Sequence, residues 1–150
     1  SMVVDVSLPD LGRVARTGSV RVRGAPEVAA FGSVHHRSAT VTARLRPDVG
    51  RGELLEAMLP SGSVTGAPKV RAMEVIAALE AARRGLYTGA FGALGHDGSL
   101  RLALAIRTLT RREGIAHYFA GGGIVADSDV ATEVAGTAWK AVQFERLLDG

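Results

Sequence analysis

The chain has 150 residues, one domain's worth, and a compact fold of that size would bury about 68–70% of its unfolded surface. Apolar residues make up 47% and charged residues 22%, which excludes disorder, and neither a membrane-spanning apolar run nor a signal-peptide pattern is visible. Zero cysteines exclude disulfides and thiolate metal sites and suit a reducing, cytoplasmic setting, while a net charge of +3 from scattered arginines, without interleaved aromatics, sets nucleic acid aside.

In chain order, Val20-Arg21-Val22-Arg23 alternates apolar and basic residues and predicts a half-exposed strand, punctuated by Gly24-Ala25-Pro26. Ala39 to Leu45 is β-rich with period two and predicts a second. Glu53 to Leu59 is a short amphipathic helix stopped by Pro60. The octet Gly62-Ser63-Val64-Thr65-Gly66-Ala67-Pro68-Lys69 is a polar turn that runs into a helix start. Apolar residues at Val70, Met73, Ile76, Ala77 and Leu79 then predict a long helix from Pro68 to about Arg84, closed by Arg83-Arg84-Gly85.

Three β segments follow, at 87–94, 99–110 and 115–119, joined by the hairpin chemistry of His96-Asp97-Gly98 and Arg111-Arg112-Glu113-Gly114. Ser128 or Asp129 opens a last helix reaching about Leu148, with Val134, Ala138, Ala141, Phe144 or Glu145, and Leu148 as its stripe. Antiparallel strands among long helices indicate an α+β fold with at least one twisted sheet covered by helices.

Several groups suit an anionic ligand. The octet opens a helix, whose first N–H groups and positive dipole end attract carboxylates; it is not a P-loop, because Lys69 is not followed by Ser or Thr. Gly121-Gly122-Gly123 removes three side chains in a row, so backbone must approach something closely: either a nest of N–H groups for a carboxylate or a strained turn. Arg107 ends an apolar stretch from Leu102 to Ile106, where its guanidinium wants a carboxylate, or serves as a snorkelling or ion-paired arginine. His35 and His36 adjoin on a strand and face opposite ways, so they cannot chelate a metal together. Glu133, Gly136 and Lys140 share one helix face, spanning about 10 Å, as a ligand site or an ordinary polar face.

Six stretches together resemble one family. Met2 to Asp5 with Asp10-Leu11-Gly12-Arg13-Val14, Val34-His35-His36, the octet, Ala105 to Thr110, Ala120 to Ser128, and Glu133 with Lys140 occur in the order found in the chorismate-utilising enzymes. Members convert chorismate to aminodeoxychorismate, anthranilate, isochorismate or salicylate. The resemblance implies an α/β/β/α sandwich of two sheets, of which residues 1–150 form a C-terminal portion of the chorismate-binding domain, because the match starts in the family's middle. Ser1-Met2 reads as a tag remnant before an initiator. Alone, such a portion leaves a sheet face or edge uncovered, which favours self-association.

The resemblance also implies roles. Arg107 contacts the enolpyruvyl carboxylate, His36 hydrogen-bonds near the C4 oxygen, Thr65 lines the pocket, Gly121, Gly122 and Gly123 and Lys140 bind substrate, and Glu133 helps hold Mg²⁺. Gly136 stands where the family has a second metal-binding glutamate, so Mg²⁺ binding is expected to be weakened or lost. Leu8-Pro9 and Arg37-Ser38-Ala39 also depart from the pattern, and the family's lysine nucleophile or base, general-acid glutamate and another metal-binding glutamate lie upstream of residue 1. The wording of the His-His, octet and Ile106-to-Thr110 stretches is most similar to members that aminate chorismate at C4 with ammonia from a glutamine amidotransferase partner. Amination at C2, or a non-catalytic module, is the alternative.

Overall fold

The computed structural model describes residues 2–31 and 34–148. Ser1, read above as a tag remnant, lies outside the described residues, as do the Glu145 and Leu148 side chains of the last helix's stripe. The chain divides into two compact units, Ser1–Glu80 and Ala81–Gly150.

The first unit holds α1 (Met2–Gly12), β1 (Arg21–Phe31), β2 (Val34–Thr42), α2 (Arg51–Met58), α3 (Gly62–Thr65) and α4 (Lys69–Leu79). β1 and β2 form an antiparallel hairpin. β1 runs straight through the expected interruption at Gly24-Ala25-Pro26, because the register shifts between Arg23 and Glu27. A bulge there needs no ladder N–H from Pro26 and uses the left-handed φ of 65° at Gly24. α1 packs on α2 and α3. The octet is not an irregular turn throughout: Gly62–Thr65 makes a helical turn capped by Ser61, whose side chain accepts the Ser63 N–H at 3.3 Å. α4 is shorter than its apolar pattern, since Glu80 takes extended dihedrals and closes the helix, leaving Arg83-Arg84-Gly85 outside it.

The second unit holds β3 (Ala90–Leu94), β4 (Leu100–Leu104), β5 (Leu109–Arg112), β6 (Ile115–Tyr118) and α5 (Val130–Leu148). β3 pairs with β4 and β5 with β6, both antiparallel, so the α+β mixture and both hairpin joints stand. The expected strand over 99–110 is instead two strands, broken at 105–108. Ala105, fully buried, donates its N–H to Gly89 O and accepts the Thr88 N–H, which turns the chain out of β4. Thr88 and Arg107 flank this clasp with φ of 65° and 51°, a conformation non-glycine residues rarely adopt.

The sizeable core expected from chain length is not assembled. Among the described residues the buried hydrophobics are Val14, Ala15, Ala57 and Ala105. No residue of α4 is buried, and every residue of β1 is exposed. Among the described residues no helix is long and apolar enough to cross a membrane.

Candidate functional site

In the second unit, α5 and the segment after β6 bring four of the singled-out residues together. Asp129 starts α5 by accepting the Thr132 N–H at 2.9 Å and its hydroxyl at 2.8 Å, and these bonds hold its carboxyl below the usual range. With the helix so started, Glu133 and Lys140 face the glycine segment. Lys140 Nζ donates to Gly121 O at 2.6 Å, and Ser128 Oγ donates to Glu133 Oε1 at 3.0 Å while accepting the Val125 N–H. Tyr118 fixes the far end, donating its hydroxyl to Lys140 O at 2.8 Å and packing its ring 4.0 Å from that of Phe144.

Side-chain ends of this chain lie close to Gly121 and Gly122. Gly121, Gly122 and Gly123 do not take left-handed φ, so the strained-turn reading fails. A Cβ on Gly121 would stand 2.8 Å from Tyr87 Oη, and one on Gly122 would stand 2.7 Å from Glu133 Oε2. The close approach expected of this run is therefore made by the chain's own Tyr87 and Glu133.

Arg107 lies in the exposed turn between β4 and β5, not in a strand as its apolar neighbours suggested. Among the described residues its guanidinium has no hydrogen-bond or ion-pair partner, which leaves its donors open to an anion. Arg83, Arg84 and Arg112 meet elsewhere, at a cavity of about 420 Å³ that Thr110 and His117 also line. There Arg84 sits 5.7 Å from the centre of the Tyr87 ring, which stacks on Phe119.

In the first unit, His35 and His36 stand on β2 opposite Ala30 and Ala29, both exposed, with the Phe31 ring edge-on to His36 at 5.5 Å. Thr65 closes α3 and donates its hydroxyl to Ser61 O at 3.0 Å. Sequence reasoning missed the pair that holds this segment. Lys69 Nζ lies 2.8 Å from Asp10 Oδ1 and also donates to Ala57 O, while Asp10 Oδ2 accepts the Gly62 N–H at 3.2 Å. Asp10 is buried, so its charge needs this partner. The available signal was a lysine in the first turn of a helix, where a cation opposes the dipole and so needs another reason to be there.

The residues do not make a Mg²⁺ site on their own. Among the described residues Glu133 is the single carboxylate on its face of α5, no side chain projects from Gly136, and no cluster of three or more His, Asp or Glu could hold a metal ion. The space is there: apart from the helix's own backbone and the adjoining residues, no atom lies within 4 Å of where a Cβ at Gly136 would stand.

A family profile described as chorismate binding enzyme matches residues 1–146, and the chain belongs to that family. Within it, the chain is 50% identical over 132 residues to aminodeoxychorismate synthase component 1 of Klebsiella aerogenes, covering 88% of this chain and 29% of that protein. It is 46% identical over 140 residues to anthranilate synthase component 1 of Streptomyces coelicolor, covering 93% and 27%. The crystal structure of anthranilate synthase component I from Streptococcus pneumoniae superposes with a TM-score of 0.83 at 44% identity, covering 93% of this chain and 32% of that one. The chain thus spans about a third or less of these relatives.

Proposed function

We propose that the chain is a C-terminal portion of the chorismate-binding domain of an aminodeoxychorismate synthase component I. In the reaction, ammonia replaces the C4 hydroxyl of chorismate, giving 4-amino-4-deoxychorismate and water. The carrying observation is the convergence of Lys140 and Glu133 on Gly121 and Gly122, which supports a site for an anionic substrate. Lys140 trades its bond to Gly121 O for a substrate carboxylate, the glycine run lets that carboxylate come close to backbone, and Arg107 offers its fork to the enolpyruvyl carboxylate. His36 near the C4 oxygen and Thr65 at the pocket wall are roles that rest on the family alone. The proton that lets the hydroxyl leave as water comes from outside this chain. Mg²⁺, which the family uses, binds this portion weakly or not at all for want of a carboxylate at Gly136. Ammonia comes from a glutamine amidotransferase subunit or domain, and the enzyme works in the cytoplasm.

Anthranilate synthesis by C2 amination is the second reading, favoured by the 46% identity to the Streptomyces coelicolor protein. The deciding experiment gives the full-length gene product chorismate, ammonia and Mg²⁺ and identifies the product, with substrate and metal binding followed by isothermal titration. Aminodeoxychorismate is expected. Anthranilate would replace the first reading with the second, and binding without any product would leave a non-catalytic module.

A further inference from the structure

In the first unit the backbone leading into β1 is tied down. Val14 and Ala15 are buried, Ala15 forms an antiparallel bridge with Leu45, the Arg16 N–H donates to Arg44 O at 2.8 Å, and the Arg46 N–H donates to Val14 O at 3.0 Å. A tight turn follows, in which the Ser19 N–H donates to Arg16 O at 3.0 Å and Gly18 takes a left-handed φ of 70°. The Ser19 hydroxyl donates to the same oxygen at 2.7 Å and accepts the Arg44 N–H at 3.2 Å, which joins the turn to the segment after β2. These bonds set Arg16, Arg21 and Arg44 around one cavity of about 430 Å³, whose remaining lining is Thr17, Gly18 and Ser19.

We infer that this cavity binds a compact oxyanion carrying at least two negative charges, a phosphoryl group or a small polycarboxylate. No carboxylate lines it, and guanidinium groups do not lose their protons, so three like charges face one space with nothing in the lining to neutralise them. An anion held among them relieves that repulsion. Two of the forks are already anchored: Arg16 Nε donates to Leu45 O at 3.2 Å, and Arg21 donates from one terminal nitrogen to Val20 O at 3.0 Å. Each keeps further donors for a ligand, and anchoring lowers the side-chain freedom lost on binding. The volume suits a small molecule, whereas a folded acidic partner would spread over about 800 Å² of surface. The lining has no aromatic side chain to stack on a ring, and the Ser19 hydroxyl is engaged both as donor and as acceptor, so no activated nucleophile is on offer. The site binds and does not catalyse. It shares no residue with the site of Lys140, Glu133 and the glycine run, and the inference does not rest on the proposed reaction.

The test titrates inorganic phosphate, citrate and acetate separately into the full-length gene product at one ionic strength, with no chorismate present, and reads the heat. The parent is compared with Arg44→Ala, Arg44→Lys and Arg107→Ala. Saturable one-site binding of phosphate or citrate is expected, the tighter of the two naming the preferred oxyanion, with acetate weaker by about tenfold because it brings a single charge. Arg44→Ala is expected to weaken binding by about tenfold, and Arg44→Lys, which keeps the charge but loses the fork, by about threefold. Arg107→Ala removes the same charge outside the cavity and should leave the affinity within about twofold. Absence of saturable heat at millimolar phosphate and citrate would overturn the inference, as would acetate binding as tightly as either. Equal weakening by Arg107→Ala and Arg44→Ala would assign the anion to the other site or to net charge and overturn it too. Should Arg44→Ala fail to fold, Arg44→Lys decides, and an affinity unchanged from the parent would sink the cavity as the site.

Discussion

Lys69 leaves the first turn of α4 and meets the buried Asp10 carboxylate at 2.8 Å, tying the last helix of the first unit to its first. Removing one partner of such a pair strands a charge, so Lys69→Met should cost about 3 kcal/mol in urea unfolding followed by circular dichroism. The double variant Asp10→Leu with Lys69→Met should recover most of that, and a loss in the double variant equal to the sum of the losses in Asp10→Leu and Lys69→Met alone would show that the pair is not coupled. Gly136 lends itself to the opposite kind of change. Glu at that position enters open space one turn from Glu133, supplies a second carboxylate, and removes a mid-helix glycine that costs about 1 kcal/mol against alanine. Gly136→Glu is expected to bring a measurable heat of Mg²⁺ binding where the parent gives little; an unchanged titration would mean the face of α5 is not a metal site. Residue types suited to chemistry were legible in the sequence, but Arg107 shows the limit. Its identity pointed to an anion, while its place in a turn did not show, because a left-handed arginine carries no glycine or proline to announce it.

At the scale of elements, α5 was legible because its start has a side-chain mechanism, the Asp129 cap. α4 was overextended because Ala77 to Ala82 keeps favouring helix, and only the extended Glu80, beside the boundary between the two units, ends it. The Asp129 cap makes a pH prediction. Its carboxyl is held low by the Thr132 N–H and then by the Thr132 hydroxyl. A depressed folded value means that the stabilisation is complete above the ordinary Asp value of about 3.9 and is lost as pH falls through the folded one. The helical signal of the parent should therefore fall toward that of Asp129→Asn only below about pH 4, where the capping charge disappears. A difference between the two proteins that stays constant from neutral to acid would show that the charge plays no part. The β3–β4 hairpin depends on a different residue. A Cβ on Gly92 would collide with the Arg101 carbonyl oxygen, part of the backbone and unable to swing away. Gly92→Ala should unpair β3 from β4, seen as loss of slow amide exchange at Phe91 and Ala93.

Over the whole molecule, composition promised a core, and among the described residues the buried hydrophobics are Val14, Ala15, Ala57 and Ala105. The apolar residues are present at 47%, yet among the described residues strands and helices form from local pairing and capping while much of their apolar surface stays exposed. The same exposure bears on the proposed reaction. Stabilising charge as it develops on a reacting ring requires fixed donors in a site that excludes water, and here Lys140 and Glu133 sit at an exposed glycine segment with a single carboxylate between them. The isolated chain, given chorismate, ammonia and Mg²⁺, should therefore consume no chorismate above the buffer rate, followed by loss of substrate absorbance and by chromatography of products. Steady consumption by pure chain would mean that these 150 residues hold a complete catalytic set, and the assignment of the proton donor to another part of the protein would have to be withdrawn.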